Sequence, residues 1–427
     1  MVLLGVGLLA GCASSRSPEQ VAVLGADVAD LRERMNELQE QVAELTAHRE
    51  VAACRLPNRT GGDRTNSGFP INPERIPASG NVNVAVLFVD FPDAPTPRYP
   101  RLAEIFKNSI PDAEKYLEAM SYGTLDLTFR PLLKWLRMPQ SVSLLYSDFD
   151  DRLGMNKSDL GMAISRFSLV DDAIGLADPE FDFGDIDSVV VIATPEADSI
   201  KSGISQLSPD WDFYADGQTI GNVISLGSGS LVPGGRSDWV SGLIAHELGH
   251  NLGLSDLYDE SVERDSEGNL PYEEMAGFVG AFGIMGGIAN WSTANEMFAW
   301  SRWQLGWLRD TQVACITSFP TSVQLTPLPI PGGIKAVVVP LTETTALVVE
   351  SRGRLGYDLR LSKEGALIYK VDTSVRTGEG PIVVDSISKP PDASVLLGPG
   401  EVWNRDGYSV TFKEVTPEGD LVEITAP

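Results

Sequence analysis

Between Val21 and Leu45 the apolar residues fall at Val21, Leu24, Val28, Leu31, Met35, Leu38, Val42 and Leu45. The steps alternate three and four without a break. That is a heptad a/d seam, and it predicts one long helix of coiled-coil type. Arg, Glu and Gln fill the neighbouring positions, so the stripe is narrower than the face a helix needs to dock on a globular core. The rival reading is a lone amphipathic helix lying on its own folded domain. His48 sits just past the last seam residue, on the polar side.

The pattern then changes. Cys54–Gly80 is rich in Pro, Gly, Asn and Arg and reads as a linker. Asn81–Val89 is a β-rich run closed by Asp90 and Pro92, a buried strand followed by a loop. Residues 101–123 read as helix, broken at Pro111 and stopped at Gly123. A strand-like alternation over 124–139, a helix over 161–178 and a second buried strand over Ser188–Ala193 follow. Strand–helix–strand alternation predicts a mixed α/β layer. From Phe319 onward the runs are short, β-rich and separated by Gly, Pro and Asp, which predicts a small all-β, sandwich-like domain. The fold class expected is α+β.

Between these parts lies "LIAHELGHNLGLSDLYD", Leu243–Asp259. Ser237 or Asp238 can cap a helix there, and Gly253 can end it in a left-handed conformation. Val240, Leu243, Ile244, Leu248 and Leu252 give it an apolar face, and His246 and His250 stand one turn apart on one side, with Glu247 beside them. The chain has only three histidines, and two of them are here. H-E-x-x-H is the spacing in which two imidazoles bind zinc and the glutamate works on the bound water. A catalytic zinc wants three protein ligands and one open position. Asp256 is the favoured third ligand, because Gly253 lets the chain turn back toward the metal. Glu296, expected on a later helix, is the rival, a glutamate so placed being the other way to complete such a site. Met285, between glycines in "AFGIMGGIANW", resembles the Met-turn of the metzincins, whose methionine lies beneath the zinc. Tyr258 is a candidate oxyanion stabiliser with no direction fixed by the sequence, and it stays off the catalytic list. Serine catalysis is poorly supported: Gly227–Ser230 is no nucleophile elbow, and no histidine is spare to act as base.

The stretch His246–Asp259 resembles the immune inhibitor A family of secreted bacterial metalloproteases. The likeness extends to Ala85–Asp93, Glu114–Leu127, Phe181–Ile192, Gly283–Gly287 and Ser301–Leu308, and to the β-rich Leu347–Asp372. The resemblance implies a metzincin-like zinc peptidase domain with a mixed sheet and an active-site helix. It also implies an aspartate third ligand and a zinc endopeptidase acting on protein or peptide substrates. The acidic stretch Asp182–Asp187 is shorter than the family's usual loop, so no calcium site is carried over.

At the start of the chain, Leu9-Ala10-Gly11-Cys12 follows a short apolar run, as in the lipobox of bacterial lipoproteins. That resemblance implies a signal segment over 1–11, lipidation of Cys12, export, and attachment to a bacterial membrane through lipid, facing the periplasm or the cell surface. No Lys or Arg precedes the apolar run, a departure from the usual signal. The remaining cysteines, Cys54 and Cys315, either pair in an oxidising compartment or stay as two separate thiols.

A length of 427 residues suggests more than one folded part, and a formal net charge of −26 argues against a nucleic-acid partner. The organisation expected is a lipidated N-terminus and coiled coil over 12–50, a linker over 51–80, a peptidase domain over 81–318 and a β domain over 319–427. The coiled coil makes a homo-oligomer the expected assembly. The competing function is a membrane-anchored interaction protein that uses a protease-like domain only for binding.

Overall fold

The structure is a computed structural model that describes residues 18–96, 110–143, 159–197, 200, 203–207, 212–227, 237–262, 271–286, 295–386 and 390–426. Cys12 and the apolar N-terminus lie outside them. Two compact units are present, residues 1–50 and 51–427. Helix α1 (Pro18–Val51), 34 residues long, as the seam predicts, lies in the first except for Val51, which belongs to the second. No described helix is long and apolar enough to cross a membrane.

The second unit opens on a five-stranded sheet. Its strands are β1 (Gly80–Asp90), β2 (Leu125–Arg137), β3 (Ser188–Ala193), β4 (Ile204–Leu207) and β7 (Asn222–Leu226), in the order β2-β1-β3-β7-β4, while β5 (Phe213–Ala215) and β6 (Gln218–Ile220) pair separately as a two-stranded sheet. All neighbours are parallel except β4, which runs antiparallel to β7 at the edge. The sheet is covered on both faces, which is why β1 and β3 read as continuous apolar runs. Val84, Val86 and Phe88 enter one core with Val190, Ile192, Ile224 and Leu226. Ala85, Leu87 and Val89 enter the other with Leu169, Val170, Ala173 and Ile174. Those last four come from the helix Asp159–Ala177, which we call α3. Helix α2 (Pro111–Met120) begins at its proline, where the missing N–H is no loss. It lies on the first face with α4 (Ser237–Asn251).

Two further sheets follow. One has the order β13-β12-β11-β10-β8, with β8 (Val313–Cys315), β10 (Ala336–Pro340), β11 (Thr345–Arg352), β12 (Gly365–Asp372) and β13 (Ile382–Val384). The other, β14-β15-β16-β9, uses β9 (Thr321–Leu325), β14 (Val402–Arg405), β15 (Tyr408–Thr416) and β16 (Gly419–Thr425). The sandwich expected from the sequence is therefore present. Period-two alternation divides its inner sheet between two cores. Val337, Val339, Leu347, Val349 and Ile368 face Val410, Phe412, Val422 and Ile424 of the outer sheet. Ala336, Val338, Val348, Leu367, Tyr369 and Val371 face the other way, into the same core as α4 and the first sheet.

That shared core corrects the expected boundary at 318/319. Residues 51–427 are one compact unit, and β8 joins the inner sheet before that boundary is reached. The expected linker is corrected as well. Leu56, Phe69 and Ile76 are buried in the main core, and Cys54 is disulfide-bonded to Cys315. Composition missed this because the irregular backbone finds partners far away in sequence. Trp300 Nε1 donates to the Ser67 carbonyl at 2.8 Å, Gln304 Nε2 to Asn66 O at 2.7 Å, and Trp307 Nε1 to Ala78 O at 2.6 Å.

The disulfide spans 261 residues and pins the start of this strap to the inner sheet. Cys315→Ser together with Cys54→Ser is expected to lower unfolding stability by about 2–5 kcal/mol, read from the denaturant midpoint at unchanged slope.

Candidate metal centre and its cleft

Helix α4 serves both packing and chemistry. Val240, Leu243, Ile244 and Leu248 bury one side of it in the main core. On another side, His246 and His250 stand one turn apart, their ring centroids 4.9 Å from each other. Both rings are fixed from behind. His246 Nδ1 lies 3.0 Å from the Ile284 carbonyl, and His250 Nδ1 lies 2.8 Å from that of Leu254. A carbonyl only accepts, so each Nδ1 carries a proton, and in the neutral ring Nε2 keeps its lone pair.

The chain then reverses. Gly253 has φ +102°, a value that side chains rarely allow, and a Cβ there would come within 2.7 Å of Ile71. The turn brings Asp256 back over the helix. Its Oδ1 lies 3.2 Å from His246 Nε2 and 3.2 Å from His250 Nε2. The loop holding it is tied on several sides. Asp256 N donates to Thr377 Oγ1 at 2.9 Å, Gly378 N donates to Asp256 O at 3.1 Å, and Leu257 N donates to Met285 O at 2.9 Å.

His246, His250 and Asp256 thus form a buried cluster of metal-ligating atoms. Asp256 Oδ1 is buried and takes no hydrogen bond. With the ring protons on Nδ1, three lone pairs face one another, an arrangement that favours a cation among them. Tetrahedral bonds of about 2.0–2.2 Å put donor atoms about 3.3–3.6 Å apart, close to the separations observed. The electrostatics agree. Burial alone would depress the His250 imidazolium, but the Asp256 carboxylate outweighs it and raises the group to about 9. Burial pushes the Asp256 carboxyl up, while the two histidines hold it well below the usual carboxylate range. Both shifts have one cause, the Asp256 carboxylate facing the histidines, and a cation bound among them would take the place of the proton on His250 Nε2.

Glu247 is buried and lines the same cleft. Gly203, just before β4, lies over it: a Cβ at 203 would fall 2.3 Å from Glu247 Oε1. Met285 is packed beneath the helix, where a Cβ on Gly249 would meet its Sδ at 2.5 Å. The turn 283–286 therefore supplies both that methionine and the carbonyl that orients His246. Tyr258 stacks on His246 at 6.1 Å, and burial, followed by the charge of Asp256, raises its hydroxyl well above the usual range. Glu296, the rival ligand, is elsewhere. It pairs with Arg302 and accepts the Tyr357 amide at 2.9 Å.

The cleft has a volume of about 470 Å³. Part of its wall carried no signal in the sequence. Residues 62–65 of the strap, Thr377 of the inner-sheet loop, and Gly203 and Ser205 at the sheet edge all line it. Asp63 is held there by Arg376, at 3.1 and 3.2 Å.

No protein-family model and no curated protein matches this chain. Among solved structures, a catalytically inactive OgpA from Akkermansia muciniphila, in complex with an O-glycopeptide (glycodrosocin) substrate, is similar to this chain at 12% identity. The TM-score is 0.27, over 76% of this chain and 96% of that one. A likeness at that score carries no argument for fold or chemistry.

The geometry distinguishes the two carboxylates proposed as third ligand. His250→Ala and Asp256→Ala are expected to abolish stoichiometric metal in the dialysed protein, measured by elemental mass spectrometry. Glu296→Gln is expected to keep the metal and lose stability instead, by about 3–5 kcal/mol, because Arg302 is left buried without its partner.

Proposed function

We propose that the chain is a zinc-dependent endopeptidase of the immune inhibitor A type, exported and anchored by lipid at Cys12. One observation carries the reading: His246 Nε2, His250 Nε2 and Asp256 Oδ1 converge at the floor of a cleft that also holds the carboxylate of Glu247. Two imidazoles and one carboxylate suit zinc better than calcium or magnesium, which prefer oxygen ligands. The three protein ligands leave a position open toward the cleft. The Cys54–Cys315 bond supports an oxidising compartment, and the motifs shared with immune inhibitor A support the family.

Zinc, when bound, polarises the scissile carbonyl and makes water acidic enough to attack at neutral pH. The remaining chemistry belongs to this chain. His246, His250 and Asp256 hold the metal, their rings and loop fixed by the Ile284, Leu254 and Thr377 contacts. Glu247 accepts the proton of the attacking water at its carboxylate and then delivers it to the leaving amine nitrogen. The substrate has a place to lie. Among the described residues β4 pairs only with β7, and Gly203 and Ser205 bring the start of that edge strand to the cleft. An extended peptide can add there through main-chain hydrogen bonds.

Glu247→Gln is expected to retain zinc and the fold while peptide cleavage falls by about 10²–10⁴-fold, measured on a casein-derived peptide library. A zinc chelator should abolish cleavage by the native chain, and added zinc should restore it. If Glu247→Gln cleaves like the native chain, the general base is wrongly assigned. If the native chain holds zinc and cuts nothing, the binding-only reading replaces this one. Gly203→Ala provides a gentler test: its Cβ would displace the Glu247 carboxylate, so kcat should drop while metal content stays constant.

A further inference from the structure

We propose that α1 pairs with α1 of a second copy of this chain as a parallel, in-register, two-stranded coiled coil. Cleavage chemistry does not enter the proposal, which stands or falls apart from the reading above.

Among the described residues, the seam of this helix is an exposed apolar stripe. Leu31, Met35, Leu38, Val42 and Leu45 are between 52% and 71% exposed. They are consecutive seam positions, so the exposed residues form one line and not a scatter. A helix about 50 Å long with such a line gains most by burying it against another helix.

The chemistry of the seam selects the partner. Position a holds Val21, Val28, Met35 and Val42, and position d holds Leu24, Leu31, Leu38 and Leu45. A β-branched residue at three of four a positions with leucine at every d position favours two parallel strands. The flanking charges select the same register. In a parallel pair, Asp27 at g faces Arg32 at e of the other chain, and symmetry makes the contact twice. In an antiparallel pair with full overlap, Arg34 faces Arg34 and Arg32 faces Arg32. Like charges oppose that arrangement. A lipid surface fits poorly as the occupant, because the outward face carries Glu33, Glu37, Glu40 and Glu44 where a membrane-surface helix wants Lys and Arg.

The test uses the chain from Ala13 onward, which keeps all of α1 and the whole second unit. Sedimentation equilibrium at micromolar concentration should give twice the mass of one chain. Leu31→Asp with Leu38→Asp should give the single-chain mass. Because that variant can also lose its helix, Leu45→Cys supplies an independent measurement. A parallel in-register pair brings the two introduced thiols together, and mild oxidation should link most chains into a covalent dimer. An antiparallel pair sets residue 45 against residue 21, and no such link forms. Asp27→Lys should weaken the dimer several-fold, and Arg32→Glu added to it should restore the affinity. A monomer, a trimer, or a dimer that Leu45→Cys fails to cross-link would each overturn the proposal.

Discussion

Asp256 Oδ1 is held 3.2 Å from each of two histidine Nε2 atoms at the end of one helix, and much of the second unit is arranged around that constraint. Such a cluster disperses unless every ligand is fixed from behind. The supports come from separate parts of the chain. The turn after Gly283 supplies the Ile284 carbonyl for His246, and the helix's own exit supplies the Leu254 carbonyl for His250. The inner sheet of the sandwich supplies Thr377 for the Asp256 loop. The strap closes the exit, with Asn66 N donating to Gly253 O at 3.2 Å and Ile76 N to Asn251 O at 3.1 Å. The β-rich part is therefore a structural support of the His246–His250–Asp256 cluster and not an appended module.

A second constraint joins the same layers. Arg352, fully buried on β11, bonds Glu350 at 2.8 Å, Asp358 at 2.7 Å and the Glu296 carbonyl at 3.0 Å. Glu350 also accepts the Ala299 amide and the Tyr369 hydroxyl, while Arg302 takes Glu296. Buried ion pairs add little net stability, since desolvation offsets most of the attraction. Their geometry is another matter: each charge is intolerable unpaired, so the chain around Glu296 and the inner sheet must meet in one way. That fixes where the loop carrying Thr377 arrives, and hence where Asp256 stands.

What could be read from the sequence followed from local periodicity and spacing. The α1 seam, strands β1 and β3, and the runs of the sandwich all carry patterns that the fold keeps. The turn at Gly253 that brings Asp256 back to the two histidines was legible for the same reason, because three residues beyond a helix stop is a short reach. Strap 51–80 was not legible. Its order comes from tryptophan N–H groups and a glutamine more than 200 residues away, and Pro, Gly and Asn look the same in a linker as in a backbone whose hydrogen bonds are made elsewhere. The domain boundary failed for a related reason. A sheet buried on both faces shows continuous apolar runs, which do not say what lies against each face.

The strap gives the cleft a wall that the H-E-x-x-H motif does not encode. It is fixed by the disulfide to Cys315, by Arg59 N donating to Thr373 O at 3.0 Å, and by the ion pair from Asp63 to Arg376, on the loop that also carries Thr377. Between those points Gly61 and Gly62 both take positive φ, and neither Cβ would meet anything. Glycine there answers the backbone's conformation and not a close contact. The cleft is thus bounded on one side by a rigid sheet edge and on the other by a short loop pinned at its ends. Helix α4 and the turn after it place His246, His250 and Asp256, while the strap and the Thr377 loop set the width of the space in front of them. The shape of the cleft then rests on residues that lie outside the H-E-x-x-H motif.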